Sequence, residues 1–61
     1  MAKRLRQLRD ERGLSQRALA EKAGISREYL ARLETGRQDP TLSTLEKIAK
    51  ALKVRVGTIV D

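Results

Sequence analysis

Residues 16–35 read QRALAEKAGISREYLARLET, and this stretch organises the rest of the chain. Leu19 and Ala23 stand four residues apart, Leu30 and Leu33 three apart. Each pair therefore falls on one face of a helix. The first segment offers Leu19, Ala20 and Ala23 for burial, the second Ile25, Leu30 and Leu33. Ala20 is small enough for a second helix to cross close over it. Between the segments stands Gly24, which can adopt φ > 0, end the first helix and turn the chain sharply. Ser15 and Ser26 precede the two segments as N-caps, each able to accept from an orphan backbone N–H. The spacing predicts helices over 16–23 and 27–34, meeting at a steep angle across a tight turn.

Outward from this unit the pattern stays helical. A first helix is expected from Ala2 to Arg12, with Leu5 and Leu8 as a narrow apolar face and Gly13 as its cap. A loop over 36–40 ends at Pro40, which cannot extend a helix and drives Asp39 towards an extended conformation. Leu42, Leu45, Ile48, Ala49 and Leu52 recur at three- and four-residue steps and predict a helix over 42–52. By its residues its N-cap is open between Thr41 and Ser43, the latter with Glu46 as a capping box. The tail over 54–60 is β-branched, and its local propensity favours a strand.

At 61 residues the chain is one domain, 1–61, with an aliphatic core that contains no Phe or Trp. There is no Cys for a disulfide or thiolate metal site, and no His, the commonest general base and metal ligand. No cofactor or metal is expected, and an enzyme would have to work with carboxylates spread singly over exposed helix faces. No apolar run approaches the roughly 20 residues that span a bilayer, so no membrane association and a cytoplasmic, nucleoid-associated location are expected. The net charge of +6 is uneven: residues 1–37 carry a net of +5 and residues 38–61 only +1. A basic surface concentrated around the paired helices favours a polyanion through counterion release.

The paired helices, with the run 8–16 before them, Leu33-Glu34-Thr35-Gly36-Arg37 after them, and Pro40-Thr41-Leu42 through Leu45, Ile48, Ala49 and Leu52, resemble the phage repressor/Cro family of helix-turn-helix DNA-binding proteins. The resemblance runs from about Leu5 to Ile59, and it implies Thr41 as the N-cap of helix 4. It implies an all-α, compact five-helix, repressor-like domain whose helix-turn-helix is 16–35. The tail would then be a short fifth helix, because a lone strand would have no partner for its backbone groups. It also implies that Arg9 pairs with Glu34, fixing helix 1 on helix 3.

An α-helix fits the major groove, and the first residues of a recognition helix reach the base edges. With Leu30 and Leu33 turned inward, helix 3 shows Arg27, Glu28, Ala31 and Arg32. Arg27 and Arg32 can pair with guanine O6 and N7, and Glu28 can accept from cytosine N4. The resemblance places base readers at these three positions. An i,i+4 ion pair between Glu28 and Arg32 competes with that use. Tyr29, at the edge of the core, can pack under helix 3, touch a thymine methyl or bond a phosphate. Gln16, as the family uses a glutamine there, is expected on a phosphate, beside the free N–H groups opening helix 2. Arg17 and Arg37 are further phosphate anchors, and Thr35 and Ser43 offer hydroxyl or backbone contacts. Asp39 departs from a loop that is often basic in the family, and no contact is assigned to it.

Leu52, Val54, Val56, Ile59 and Val60 form more apolar tail than a monomer core needs, and the family often pairs through this end. A homodimer on a two-fold symmetric operator is therefore expected, acting as a repressor, with double-stranded DNA as partner. The alternative is an antitoxin-type or other protein-interaction module that binds a toxin or co-regulator, with DNA binding secondary. A basic membrane-surface helix fits less well, because the apolar faces are needed to close the bundle.

Overall fold

The computed structural model describes residues 1–60. Five helices follow one another: α1 (Ala2–Glu11), α2 (Gln16–Ala23), α3 (Arg27–Glu34), α4 (Leu42–Leu52) and α5 (Val56–Val60). Ser15, Ser26 and Thr41 cap α2, α3 and α4, each side-chain oxygen accepting from the N–H three residues on. The cap of α4 is thus Thr41 and not Ser43. The first helix ends one residue earlier than expected, with Arg12 as its capping residue.

The first four helices end in one and the same way. A 6→1 and a 5→2 backbone hydrogen bond, the Schellman pair, close each of them. Leu14 N–H reaches Arg9 O at 3.1 Å, Ile25 reaches Ala20 at 2.9 Å, Arg37 reaches Arg32 at 3.0 Å and Val54 reaches Ala49 at 2.9 Å. The motif requires one left-handed residue. At Gly24 (φ 72°) and Gly36 (φ 76°) the absence of a Cβ makes that conformation cheap. In α4 the place is taken by Lys53, at φ 59°, the one non-glycine with positive φ among the described residues.

α2 packs against α3 and α4, α1 against α3 and α5, and α4 against α5. The core they enclose is Leu5, Leu8, Leu19, Ala20, Ala23, Leu30, Leu33, Ile48, Ala49, Leu52 and Ile59. Burying each of the large aliphatic side chains contributes on the order of 1.5–3 kcal/mol. Ile25 is half-buried against this cluster. Leu42, counted on the apolar face of α4 by spacing, is 66% exposed. At 100° per residue it lies about 70° from the middle of the stripe formed by Leu45, Ile48, Ala49 and Leu52, in the first turn, where no other helix covers it.

The tail is helical despite its β-branched composition. Ile59 is fully buried and draws α5 onto α1 and α4. Arg4 of α1 and its capping residue Arg12 bind the C-terminal half through backbone carbonyls: Arg4 Nε donates to Thr58 O at 3.1 Å, and Arg12 Nε to Leu52 O at 3.0 Å. The second bond places a cation on the carbonyl end of α4, where the helix dipole favours it.

Leu52 and Ile59 cannot serve a dimer interface as the sequence suggested. They are 1% and 0% exposed and close the core of the single chain. Val54 and Val56 are half-buried against that core, and Val60 remains exposed at 48%.

Candidate nucleic-acid interface

α3 turns Leu30 and Leu33 inward, and the opposite face carries Arg27, Glu28 and Arg32, all exposed. Tyr29 is half-buried against the core, so only part of its ring remains for a ligand. Beside this face lies the start of α2. The N-cap oxygen of Ser15 takes the Ala18 N–H. The N–H groups of Gln16 and Arg17, at the first two helical positions, precede the intrahelical ladder and can receive an anion. Arg17 and Arg37 are exposed and cationic, and Ser43 is exposed in the first turn of α4. Thr35 spends its hydroxyl proton inside the helix, donating to Ala31 O at 3.1 Å and Arg32 O at 3.2 Å. Its oxygen therefore has no proton left for a phosphate in this rotamer.

Behind the face sits a buried ion pair. Arg9 Nε donates to Glu34 Oε2 at 2.7 Å, and Arg9 Nη2 donates to Oε1 at 3.1 Å. This is the two-pronged geometry in which arginine–carboxylate pairs are strongest. Arg9 Nη1 also donates to Leu14 O at 2.7 Å, fastening the turn before α2. The Glu34 hydrogen bonds hold the Arg9 guanidinium above its ordinary pKa, against the opposing effect of burial. Arg9 is therefore charged at every working pH. The pair expected from the family resemblance is present, and it joins α1 to α3.

The pair does not stop there. Gln16 Nε2 donates to Glu34 Oε1 at 3.1 Å, and Gln16 Oε1 accepts from Arg27 Nη1 at 3.3 Å. The carboxylate can only accept, so it turns the amide with its NH2 inward and its carbonyl outward. Gln16, expected on a phosphate, thus already has two protein partners. One of its two amide protons stays free for an oxygen outside. The result is a continuous chain of hydrogen bonds from the interior, Arg9 to Glu34 to Gln16, out to the first residue of α3.

The far end of α3 is organised differently. Arg32 makes no ion pair with Glu28 among the described residues. Its Nε donates instead to Oε1 of Gln38 in the following loop, at 3.0 Å. Neither the Gln16–Glu34 bond nor Gln38 was visible in the sequence, because both depend on how the loops fold back on the helices.

This arrangement is an outward, largely basic row on a short helix whose other face is core, with a helix N-terminus alongside. The helix-turn-helix model HTH_3 matches residues 5–59. The chain belongs to the helix-turn-helix family. Among the relatives of this helix-turn-helix chain, the immunity repressor protein of Bacillus phage phi105 is 50% identical over 98% of the chain and 42% of its own length. The transcriptional regulator SinR of Bacillus subtilis is 40% identical over the whole chain and 56% of its own length. The chain thus spans about half the length of these relatives. Its fold superposes on SinR in complex with DNA with a TM-score of 0.93 and 41% identity, covering 98% of this chain and 97% of that one. It also superposes on the restriction-modification controller protein C.AhdI of Aeromonas hydrophila with a TM-score of 0.93 and 36% identity, covering 95% and 88%. No helix of the described residues is long and apolar enough to cross a membrane.

Proposed function

We propose that this helix-turn-helix chain is a sequence-specific, double-stranded DNA-binding domain of a transcriptional regulator, acting as a repressor. α3 enters the major groove. Arg27, Glu28 and Arg32 read base edges there, with Tyr29 beside them. Gln16, Arg17, Arg37 and Ser43 hold the flanking phosphates, the first two together with the N-terminal N–H groups of α2, while Thr35, its hydroxyl proton held by the carbonyls of α3, contributes none in this rotamer. The observation that carries this reading is the exposed row Arg27, Glu28 and Arg32 on a helix whose opposite face is buried. Its partner being DNA, the protein works in the cytoplasm on the nucleoid, and its task is binding and not catalysis.

Selection of bound duplexes from a random DNA pool at near-physiological salt tests the reading. Enrichment of one site supports it, and retention without enrichment reduces it to backbone binding. Arg32→Ala should cost about 1–3 kcal/mol on the selected site and relax one base position. A loss equal on all sequences would contradict base reading.

One α3 reads only a few base pairs, so binding takes place as a two-fold dimer with half-sites about 10–10.5 bp apart. Val60, with the half-buried Val54 and Val56, supplies the apolar surface at the tail. Sedimentation showing a monomer both free and on the selected duplex would refute the dimer. A protein partner is a second reading, favoured by one relative: SinR, 41% identical, has also been solved in complex with SinI protein. If the pool selection retains no DNA, that reading takes first place.

A further inference from the structure

We infer that Gln38, in the loop after α3, is a specificity-determining positioning residue. It holds Arg32 so that only the Nη1/Nη2 edge of the guanidinium faces a base. The inference rests on the DNA-binding reading above and deepens it.

An arginine can offer a guanine two different pairs of parallel donors, Nε with Nη2 along its side or Nη1 with Nη2 at its end. Both fit the O6/N7 acceptors, but they place the side chain differently over the groove. In this chain the choice is already made. Arg32 Nε donates to Gln38 Oε1 at 3.0 Å, which occupies the side edge and, the guanidinium being planar, sets the plane of the group. The end edge keeps its two parallel N–H donors, one from each Nη.

The loop that carries Gln38 is itself pinned. Gly36 N–H donates to Leu33 O at 3.3 Å and Arg37 N–H to Arg32 O at 3.0 Å, so the turn folds back on the residue whose side chain Gln38 holds. On the other side Pro40, half-buried, has a fixed φ. Arg32 is thus fastened at its backbone carbonyl by Arg37 and at its side chain by Gln38, from two successive residues of one turn. Arg27 is buttressed in the same manner by Gln16, from the opposite end of α3. An exposed arginine held in this way loses less freedom on meeting a base than one that is free in solvent.

The test compares dissociation constants on the selected duplex and on the same duplex altered at the one base pair that Arg32→Ala relaxes. Gln38→Ala should reduce the ratio between the two about three- to tenfold, leave the salt dependence unchanged, and leave the melting temperature unchanged because the side chain is exposed. In an Arg32→Ala background it should change nothing further. Gln38→Glu keeps an acceptor for Nε, so the ratio should be restored, while affinity for every duplex falls because a negative charge now stands near phosphates. An unchanged ratio in Gln38→Ala, an equal loss on all duplexes, or a further loss in the Arg32→Ala background overturns the inference alone. A chain that selects no duplex at all overturns the DNA-binding reading and the inference with it.

Discussion

The first three helices and the last two are held by the same kinds of interaction, but not equally well. α1, α2 and α3 close their C-terminal turns on Gly13, Gly24 and Gly36, while α4 closes on Lys53. The first three also share a buried ion pair with two further hydrogen bonds tied to it, Arg9 to Leu14 O and Gln16 to Glu34, the second of which leads on to Arg27. α4 and α5 have instead an exposed Leu42 near their start, a glycine inside α5 at Gly57 and an exposed Val60 at the end. The half that presents α3 is over-determined, and the half that supports it from behind retains local strain. The lesson is that a small domain can concentrate its fixed geometry where a ligand must be met and accept weaker backbone choices elsewhere.

The sharpest way to break the comparison is to remove the ion pair. Glu34→Ala leaves Arg9 buried without a carboxylate and should destabilise by about 3–5 kcal/mol. A chain of this size holds about 3–9 kcal/mol at 0.05–0.15 per residue, so thermal denaturation should show a domain at or near the edge of folding. The double variant Arg9→Met with Glu34→Leu should recover much of the loss, since it removes both charges together. If Glu34→Ala melts like the parent, the pair does not hold the first three helices.

A second change should repair the other half. Lys53→Gly relieves a left-handed side-chain residue and should stabilise by about 1 kcal/mol, raising the melting temperature by about 4–8 °C. The gain is net of the extra freedom glycine gives the unfolded chain. No gain would mean that Lys53 is not strained.

Gly57→Ala should add about 0.5–1 kcal/mol by helix propensity, because a Cβ there meets nothing within 4 Å. Chemical denaturation should show a higher midpoint with an unchanged slope. The smallest effect is expected at Leu42: replacement by Gln should change stability by less than about 0.5 kcal/mol, as for other exposed sites. A loss of 2 kcal/mol in the isolated chain would return Leu42 to the core, where spacing alone had put it.

The helix-turn-helix was legible in the sequence almost residue by residue, because caps and turn residues act locally. Ser15 and Ser26 cap as their chemistry dictates, Gly13 and Gly24 turn as glycines can, and Thr41 caps α4 as the resemblance implied where residue chemistry alone left Ser43 open. The fifth helix was not legible from its residues. Val54, Val56, Ile59 and Val60 favour a strand locally, and only the burial of Ile59 against the other helices overrides that preference. The same limit explains Leu52 and Ile59, whose apolar character is equally compatible with a core and with an interface. Leu42 matched the helical period but lay at its edge, where the position of the neighbouring helices decides burial. In the candidate interface, residue types and faces were legible. The attachments of Gln16 to Glu34, Arg32 to Gln38 and Arg12 to the end of α4 were not, since each joins elements through a long side chain whose reach no spacing rule encodes.

The chain of bonds from Arg9 through Glu34 and Gln16 to Arg27 also bears on how such a domain can be retargeted. Arg32 and Gln38 form a self-contained surface module, replaceable as a pair without disturbing anything beneath. Arg27 is wired to the interior through an amide whose orientation the buried carboxylate dictates. Any new residue at position 27 must suit an outward-facing carbonyl oxygen, so hydrogen-bond donors are admissible there and acceptors are penalised. One end of α3 is therefore free to drift towards new sequences, while the other is anchored to the architecture that keeps the domain folded.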